Sequence, residues 1–367
     1  MPKYVKGAVY VLLALGFICG VLYWRFLSAA GYFTAVKVDV PADCRAIASV
    51  PGPEDIAIDR ERGIAYVSAM DRRLARSNLP GAKGVRGGIY TIDLTRDVAD
   101  WTLAPVTPAT PADFRPHGIS LFVMPDGARR LFVVNHPADG GQSIDILDVA
   151  ENGDLSLFKS VTSPLLVSPN DVVAVGPDNF YVTNDHGTPS DSGKMIDDVL
   201  LLGHANVVHY DGKTMSQAAD GLVYANGINA SADGRHIYVA SSLGMALHVY
   251  DRDLVSGKLT AVDYARLGTG VDNIDVQPDG SLLIAAHPHM LDLQAHAADP
   301  GKLSPSQVVR VVPGAQGGGE AATIYLNNGE EISAASVAAG YQDKMLIGDI
   351  FDPKILVCHQ SREMKAY

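Results

Sequence analysis

Cysteine, positive charge and long apolar runs are all scarce in this chain, and each shortage removes a class of function. Three cysteines stand among 367 residues, Cys19, Cys44 and Cys358. None occupies the polar positions singled out below, so a soft-metal site lacks its thiolate donors. Lys and Arg number 29 against 41 Asp and Glu, a formal net charge of −12. The basic face that phosphate binding requires is missing, and nucleic acid is not an expected partner. No Gly-x-Ser-x-Gly elbow occurs, which leaves a serine hydrolase of the α/β type unsupported. Amphipathic helical stretches are few, the best being Met195 to Leu202.

The one long charge-free run lies at the start. Residues 1–30 carry Lys3 and Lys6 and then an uncharged stretch from Gly7 to Trp24, about long enough to cross a hydrocarbon layer. The leading lysines favour a cytoplasmic N-terminus, with the remainder of the chain outside. Ser28-Ala29-Ala30 resembles a cleavage site, but Arg25 interrupts the approach to it, so a retained signal anchor is favoured over a cleaved signal peptide. The body is expected to be exported, facing the periplasm or the extracellular side. In such a compartment Cys44 and Cys358 could pair and tie together the two ends of the folded region; two unrelated buried thiols is the alternative.

What is present is β structure. From residue 36 onward, short runs rich in Val, Ile, Tyr and Phe alternate with turns such as Pro125-Asp126-Gly127, Ala232-Asp233-Gly234 and Pro278-Asp279-Gly280, where preset or positive φ and Asx hydrogen bonds favour chain reversal. A pattern recurs within these runs. The polar steps Glu54-Asp55, His117-Gly118, Asn170-Asp171, Asn226-Gly227 and Asp272-Asn273 are each followed by an apolar alternation, a turn and a second strand centred on Val67, Val134, Val182, Val239 or Ile284. A weaker sixth copy joins Ser336-Val337 to Ile347. Repeats of about 50 residues with several strands each indicate a β-propeller. The expected architecture is all-β: residues 36–360 as one six-bladed β-propeller of four-stranded blades behind the N-terminal segment. The chain ends should share one blade.

Innermost strands of a propeller line a central tunnel, so equivalent positions converge. Glu54, Asn170, Asn226, Asp272 and Asn273 would then present oxygen at one mouth. Carboxylates plus amide oxygens, roughly six to eight in all, are what Ca2+ takes, and two carboxylates neutralise a divalent charge. Asp55 and Asp171 follow by one residue and, by strand alternation, face the other way. They suit a second ion deeper in the tunnel, with the Ile119 carbonyl as a further candidate ligand. Taken singly, each step is as well explained by an Asx turn at a strand start; five in register point beyond that. His117, at the step of blade two, and His136, closing the Leu131–Pro137 strand, are the candidates for proton transfer. His186, His248, His287 and His289 also lie near strand ends, and His287 is the best of these.

The segments Pro53-Glu54-Asp55, Pro116-His117-Gly118-Ile119-Ser120, Val133-Val134-Asn135-His136-Pro137, Asn170-Asp171-Val172-Val173, Thr183-Asn184-Asp185-His186, Ala225-Asn226-Gly227-Ile228, Val271-Asp272-Asn273-Ile274 and Leu346-Ile347-Gly348 resemble the serum paraoxonase/arylesterase family. The likeness runs from about Cys44 to Cys358, and the N-terminal apolar segment is similar too. It implies a six-bladed propeller with two axial Ca2+ ions: a catalytic ion on Glu54, Asn170, Asn226, Asp272 and Asn273, and a structural ion on Asp55, Asp171 and the Ile119 carbonyl. It implies a His117–His136 pair and a Cys44–Cys358 disulfide. The implied activity is hydrolysis of lactones and aryl esters. Two alternatives remain: a gluconolactonase-like enzyme acting on sugar lactones, and a Ca2+-stabilised propeller used for binding or adhesion. The chain departs from the family at Asp71 to Arg86, the position of a mobile loop, which here carries Arg72, Arg73, Arg76, Lys83 and Arg86 and no aromatic residue. A negatively charged substrate is one reading of that loop and ordinary surface variation the other. The Gly187–Gly203 insertion is poorer in aromatics than the family's membrane-facing helix.

Overall fold

Alternating side chains and turn signals resolve into six four-stranded antiparallel sheets in the computed structural model, which describes residues 3–40, 43–77, 79, 81–108, 111–314 and 319–360. The innermost strands are Pro53–Asp59, Pro116–Val123, Pro169–Gly176, Ala225–Ala230, Gly270–Val276 and Ala335–Tyr341. Five blades are built from consecutive strands. The sixth takes its outermost strand, Arg45–Ala48, from the start of the fold and pairs it with Lys354–His359. This closure is the expected one, and the Cys44–Cys358 disulfide fastens it across 314 residues of sequence. In the chain-entropy picture so long a loop contributes on the order of 5 kcal/mol at most.

In five blades the β-branched residue of the second strand faces the residue that follows the polar step: Val67 opposite Ile56, Val182 opposite Val172, Val239 opposite Ile228, Ile284 opposite Ile274 and Ile347 opposite Ala338. In blade two Val133 rather than Val134 faces Ile119. Leu131, Phe132, Val133 and Val134 are all fully buried, so this apolar run carries no alternation from which the phase could be read.

Each polar step coincides with a break in register between the two inner strands, at Pro53/Asp55, Pro116/Ile119, Pro169/Val172, Ala225/Ile228, Val271/Ile274 and Ala335/Ala338. Such bulges re-aim side chains and free backbone groups from the ladder. Packing at the axis is tight. A Cβ on Gly118 would fall 2.3 Å from Asp171 Oδ1, and one on Gly227 would fall 2.5 Å from the Asp272 carbonyl. In blades two and four only glycine lets the next innermost strand approach.

Apolar clusters fill the wedges between neighbouring blades: Ile56, Val67 and Leu346 between blades six and one, Phe132, Val172 and Val182 between two and three, Val249, Ile274 and Ile284 between four and five. A separate cluster of Ala30, Leu243, Met290, Leu293, Ala334 and Phe351 roofs one end of the tunnel. Four helices lie on that side. Helix α1 (Lys3–Ala29) precedes the propeller, α2 is Arg72–Arg76, α3 is Asp191–Leu200 and α4 is Met290–Ala298. Among the described residues one helix, Lys6–Ala29, is long and apolar enough to cross a membrane. The expected Met195–Leu202 helix is the second half of α3, which starts earlier because Ser190 caps it by accepting from the Gly193 amide. It stops at Leu201, whose φ of 52° is left-handed.

Candidate functional site

The bulged ends of the innermost strands meet at the roofed end of the tunnel. Glu54, His117, Asn170, Asn226 and Asp272 line a cavity of about 110 Å³ there, and Asn273 stands behind Glu54, its Nδ2 3.1 Å from Glu54 Oε1. The five expected ligands of the first ion are therefore brought together. The amides of Asn226 and Asn273 are turned so that nitrogen faces protein and oxygen does not. Asn226 Nδ2 donates to Ser242 Oγ at 3.0 Å, and Asn273 Nδ2 donates to Glu54. Four buried oxygens are left without any hydrogen-bond donor: Glu54 Oε2, Asn170 Oδ1, Asn226 Oδ1 and Asn273 Oδ1. Buried acceptors normally find a partner. Three orphaned oxygens on residues of one cavity and a fourth on Asn273 behind Glu54, with the Asp272 carboxylate beside them, fit a hard cation such as Ca2+. Asp272 Oδ2 receives His287 Nε2 at 2.8 Å, the outer-sphere contact that orients a ligating carboxylate.

Asp55 and Asp171 come together deeper, along a second cavity of about 170 Å³ that also includes Ile119. Asp55 accepts from the amides of Ile56 and Ile119 at 2.8 and 2.7 Å, and Asp171 from those of Val172 and Ile228 at 2.7 and 2.8 Å. Ile119 thus contributes its amide to Asp55 and lines the same cavity. Burial, and then the negative charge of neighbouring carboxylates, pushes both aspartates well above the ordinary carboxylate range. Two buried carboxyls that repel one another in this way suit a shared cation.

His117 and His136 form the expected pair, with His117 Nδ1 3.0 Å from His136 Nε2. Their tautomers follow from a residue that sequence reasoning missed. Gln142 donates its amide nitrogen to the Gly140 carbonyl at 3.3 Å, which turns Oε1 toward His136 Nδ1. His136 Nδ1 then carries the proton, its Nε2 accepts from His117 Nδ1, and His117 Nε2 is left with a lone pair 3.5 Å from Glu54 Oε1. Burial and the neighbouring His117 hold His136 down at about 3, so it stays neutral at pH 7. Burial alone would raise Glu54, but the charge of a protonated His117, with Arg72 and the Asn273 amide, outweighs it and holds this carboxyl at about 2.

The basic loop is not a fringe of solvated charge. Asp71 caps α2 by accepting from the Leu74 amide at 2.8 Å, and the helix turns Arg72 inward. Arg72 is buried 3.7 Å from Glu54 Oε2 and donates to the Gly52 and Pro116 carbonyls at 3.1 and 3.3 Å. Tyr224, held at a φ of 58° two residues before the step of blade four, lines the same cavity with Met290, Leu293 and Phe351. The inward positions of α4 are Met290, Leu293 and His296, a spacing of three that marks a helical face in the sequence; Arg72, Gln142 and Tyr224 carry no such signal. The chain leaving α1 runs past this mouth: the Ala30 carbonyl accepts from the Met290 amide at 2.9 Å and the Thr34 carbonyl from His289 Nε2 at 2.8 Å.

His186 and His287 both lie in the walls of the site. His186 bridges Asp185, which lines the cavity, to Asp198 of α3 at 2.7 and 3.0 Å. His248 sits away from the mouth, packed on Tyr264.

Comparison with known proteins agrees with this arrangement. The family model described as Arylesterase matches residues 61–360. Serum paraoxonase/arylesterase 2 of Rattus norvegicus is 34% identical over 364 residues, covering 96% of this chain and 99% of the relative. Serum paraoxonase/lactonase 3 of Homo sapiens is 31% identical, with coverage of 96% and 99%. Among solved structures, a gluconolactonase of Xanthomonas campestris superposes with a TM-score of 0.51 at 16% identity, over 88% of this chain and 95% of that one. At that identity it speaks for the propeller fold alone. By the family match and by these relatives, the chain belongs to the arylesterase family.

Proposed function

We propose that this protein is a Ca2+-dependent carboxylic-ester hydrolase acting on lactones and aryl esters. The observation that carries the reading is the set of orphaned buried oxygens on Glu54, Asn170 and Asn226, residues of the cavity that His117 also lines, with a fourth on Asn273 behind Glu54. Those four residues with Asp272 would hold the first ion, and Asp55 and Asp171, with Ile119, a second. When bound at the first position, Ca2+ supplies the electrophile that polarises the ester carbonyl and the charge that balances the oxyanion.

The remaining chemistry belongs to the side chains. His117 Nε2 takes a proton as a water oxygen adds to the carbonyl carbon, and returns it to the leaving oxygen when the C–O bond breaks. His136 accepts from His117 Nδ1–H, so the charge gained by His117 is shared along the chain His117–His136–Gln142. Met290, Leu293 and Phe351 exclude water from the mouth and receive the apolar part of the ester. The α1 helix and the disulfide accord with export, and we place the body outside a membrane that α1 anchors.

The test is hydrolysis of a panel of lactones and phenyl acetate with Ca2+, after chelation, and after readdition. Turnover lost on chelation and restored by Ca2+ is expected. A protein that Ca2+ stabilises but that cleaves none of the panel would instead be a binding propeller.

A further inference from the structure

Helix α2 packs three guanidinium groups into five residues, and each has different surroundings. Arg72 is buried against Glu54 and two carbonyls. Arg73 is tied to Asp352 at 2.8 Å and to the His296 carbonyl at 3.2 Å. Arg76 is exposed and, among the described residues, has no carboxylate, carbonyl or ring partner. It nonetheless lines the tunnel-mouth cavity and also an adjoining groove of about 590 Å³ whose apolar wall includes Leu74, Leu79, Ala297 and Phe351. Arg76 thus stands where the two spaces meet.

The acids within reach already have partners. Asp71 caps α2, Asp352 holds Arg73, and Asp185 is engaged by His186 and Ser168. Lys194 joins that last network through Ser168 at 2.6 Å, so Asp185 and Asp198 are balanced by His186 and Lys194. A divalent cation on the axial oxygens cancels Glu54 and Asp272. Arg76 remains as unpaired positive charge at the mouth of a protein whose formal net charge is −12. A local field of sign opposite to that of the whole molecule selects among ligands by charge.

We propose that the preferred ester or lactone carries a carboxylate set apart from its scissile carbonyl, and that Arg76 recognises this group. The inference rests on the esterase reading and names its substrate class. A planar guanidinium binds carboxylate through two parallel hydrogen bonds. The groove beside Arg76 would take the intervening apolar chain.

The experiment compares monophenyl glutarate with phenyl valerate, which differ in a terminal carboxylate against a methyl group. In the wild type the anionic ester is expected to have the higher kcat/KM. Arg76→Gln should lower the ratio of the two values by about tenfold or more, the usual effect of losing a hydrogen bond to a charged group, and Arg76→Lys should restore part of it. A ratio that is unchanged in Arg76→Gln overturns the proposal, and because it is a ratio, partial loss of folded protein cancels. Should neither ester turn over, the esterase reading fails by itself. The same ratio is then read as Kd values by calorimetry, where equal binding of the two esters, or equal loss in the variant, overturns the carboxylate site.

Discussion

Arg72 Nη2 lies 3.7 Å from Glu54 Oε2 with both side chains buried, a fixed positive charge set against a carboxylate proposed to hold Ca2+. The two cations share Glu54, so each weakens the other's hold on it. Arg72→Met should therefore cost more stability without the ion than with it. In the Ca2+-free protein it strips a buried carboxylate of its partner, a change that costs about 3 to 5 kcal/mol. In the Ca2+-loaded protein the ion compensates Glu54, and the loss is smaller. The rise in melting temperature on adding Ca2+ should widen in the variant, and Ca2+ affinity by calorimetry should increase at least about fivefold, the lower end of typical coupling between sites. An increment equal to the wild type's would mean that Arg72 and the ion do not compete.

Gln142 sets the tautomers of both histidines without approaching the substrate itself. Gln142→Leu removes the acceptor that holds the proton on His136 Nδ1, freeing His136 to flip its tautomer and present N–H to His117. We expect kcat to fall about tenfold or more while Ca2+ affinity stays at the wild-type level. Gln142→Glu keeps the acceptor and should recover most of the rate. Equal damage from both substitutions would identify a packing defect instead.

Much of this architecture is legible in the sequence because turn chemistry and strand alternation repeat together. Pro125-Asp126-Gly127 and Pro278-Asp279-Gly280 punctuate the chain, and Ile56, Val172 and Ile274 each follow a polar step at the same offset. What escaped is what depends on contacts between repeats. The bulge at every step is invisible to a period of two, and Phe132-Val133-Val134, apolar throughout, conceals its phase. Arg72 reads as one more surface cation until α2 turns it beneath the roof of the site. Gln142 lies in the loop between the second and third strands of its blade and is recognisable only by what its amide faces. The Met290, Leu293 and His296 spacing was readable and is the one signal left unused.

Asp55 and Asp171 allow the number of ions to be counted. Among the described residues their carboxylates accept only from backbone amides, and they lie along a cavity separate from that of Glu54. Calorimetric titration of the chelated wild type should give two Ca2+ per chain, and Asp55→Asn should give one. Asp171→Asn should match it if, as proposed, the two residues serve the same ion. Loss of both ions in either variant would show that the deeper position is required to assemble the mouth, and a wild-type stoichiometry of one would remove it.

His186 makes stability depend on pH through α3. Burial disfavours its charged form, but Asp185 and Asp198 overcome that and raise it from an ordinary value near 6.5 to about 9. The folded protein thus holds this proton more tightly than the unfolded chain. The stabilisation is complete below the unfolded value and fades as pH rises through the folded one, a window between pH 6.5 and about 9. A shift of this size corresponds to about 3 kcal/mol. Because Asp198 belongs to α3, that helix should loosen first. At saturating Ca2+, the melting temperature of the wild type should fall across this window, and amide exchange in 191–200 should quicken. His186→Asn cannot carry the charge; its curve should start lower and run flat over the same range. A wild type as flat as the variant would mean that His186 is neutral in the fold and that α3 is held by its other contacts, Lys194 to Ser168 and Asp197 to His204.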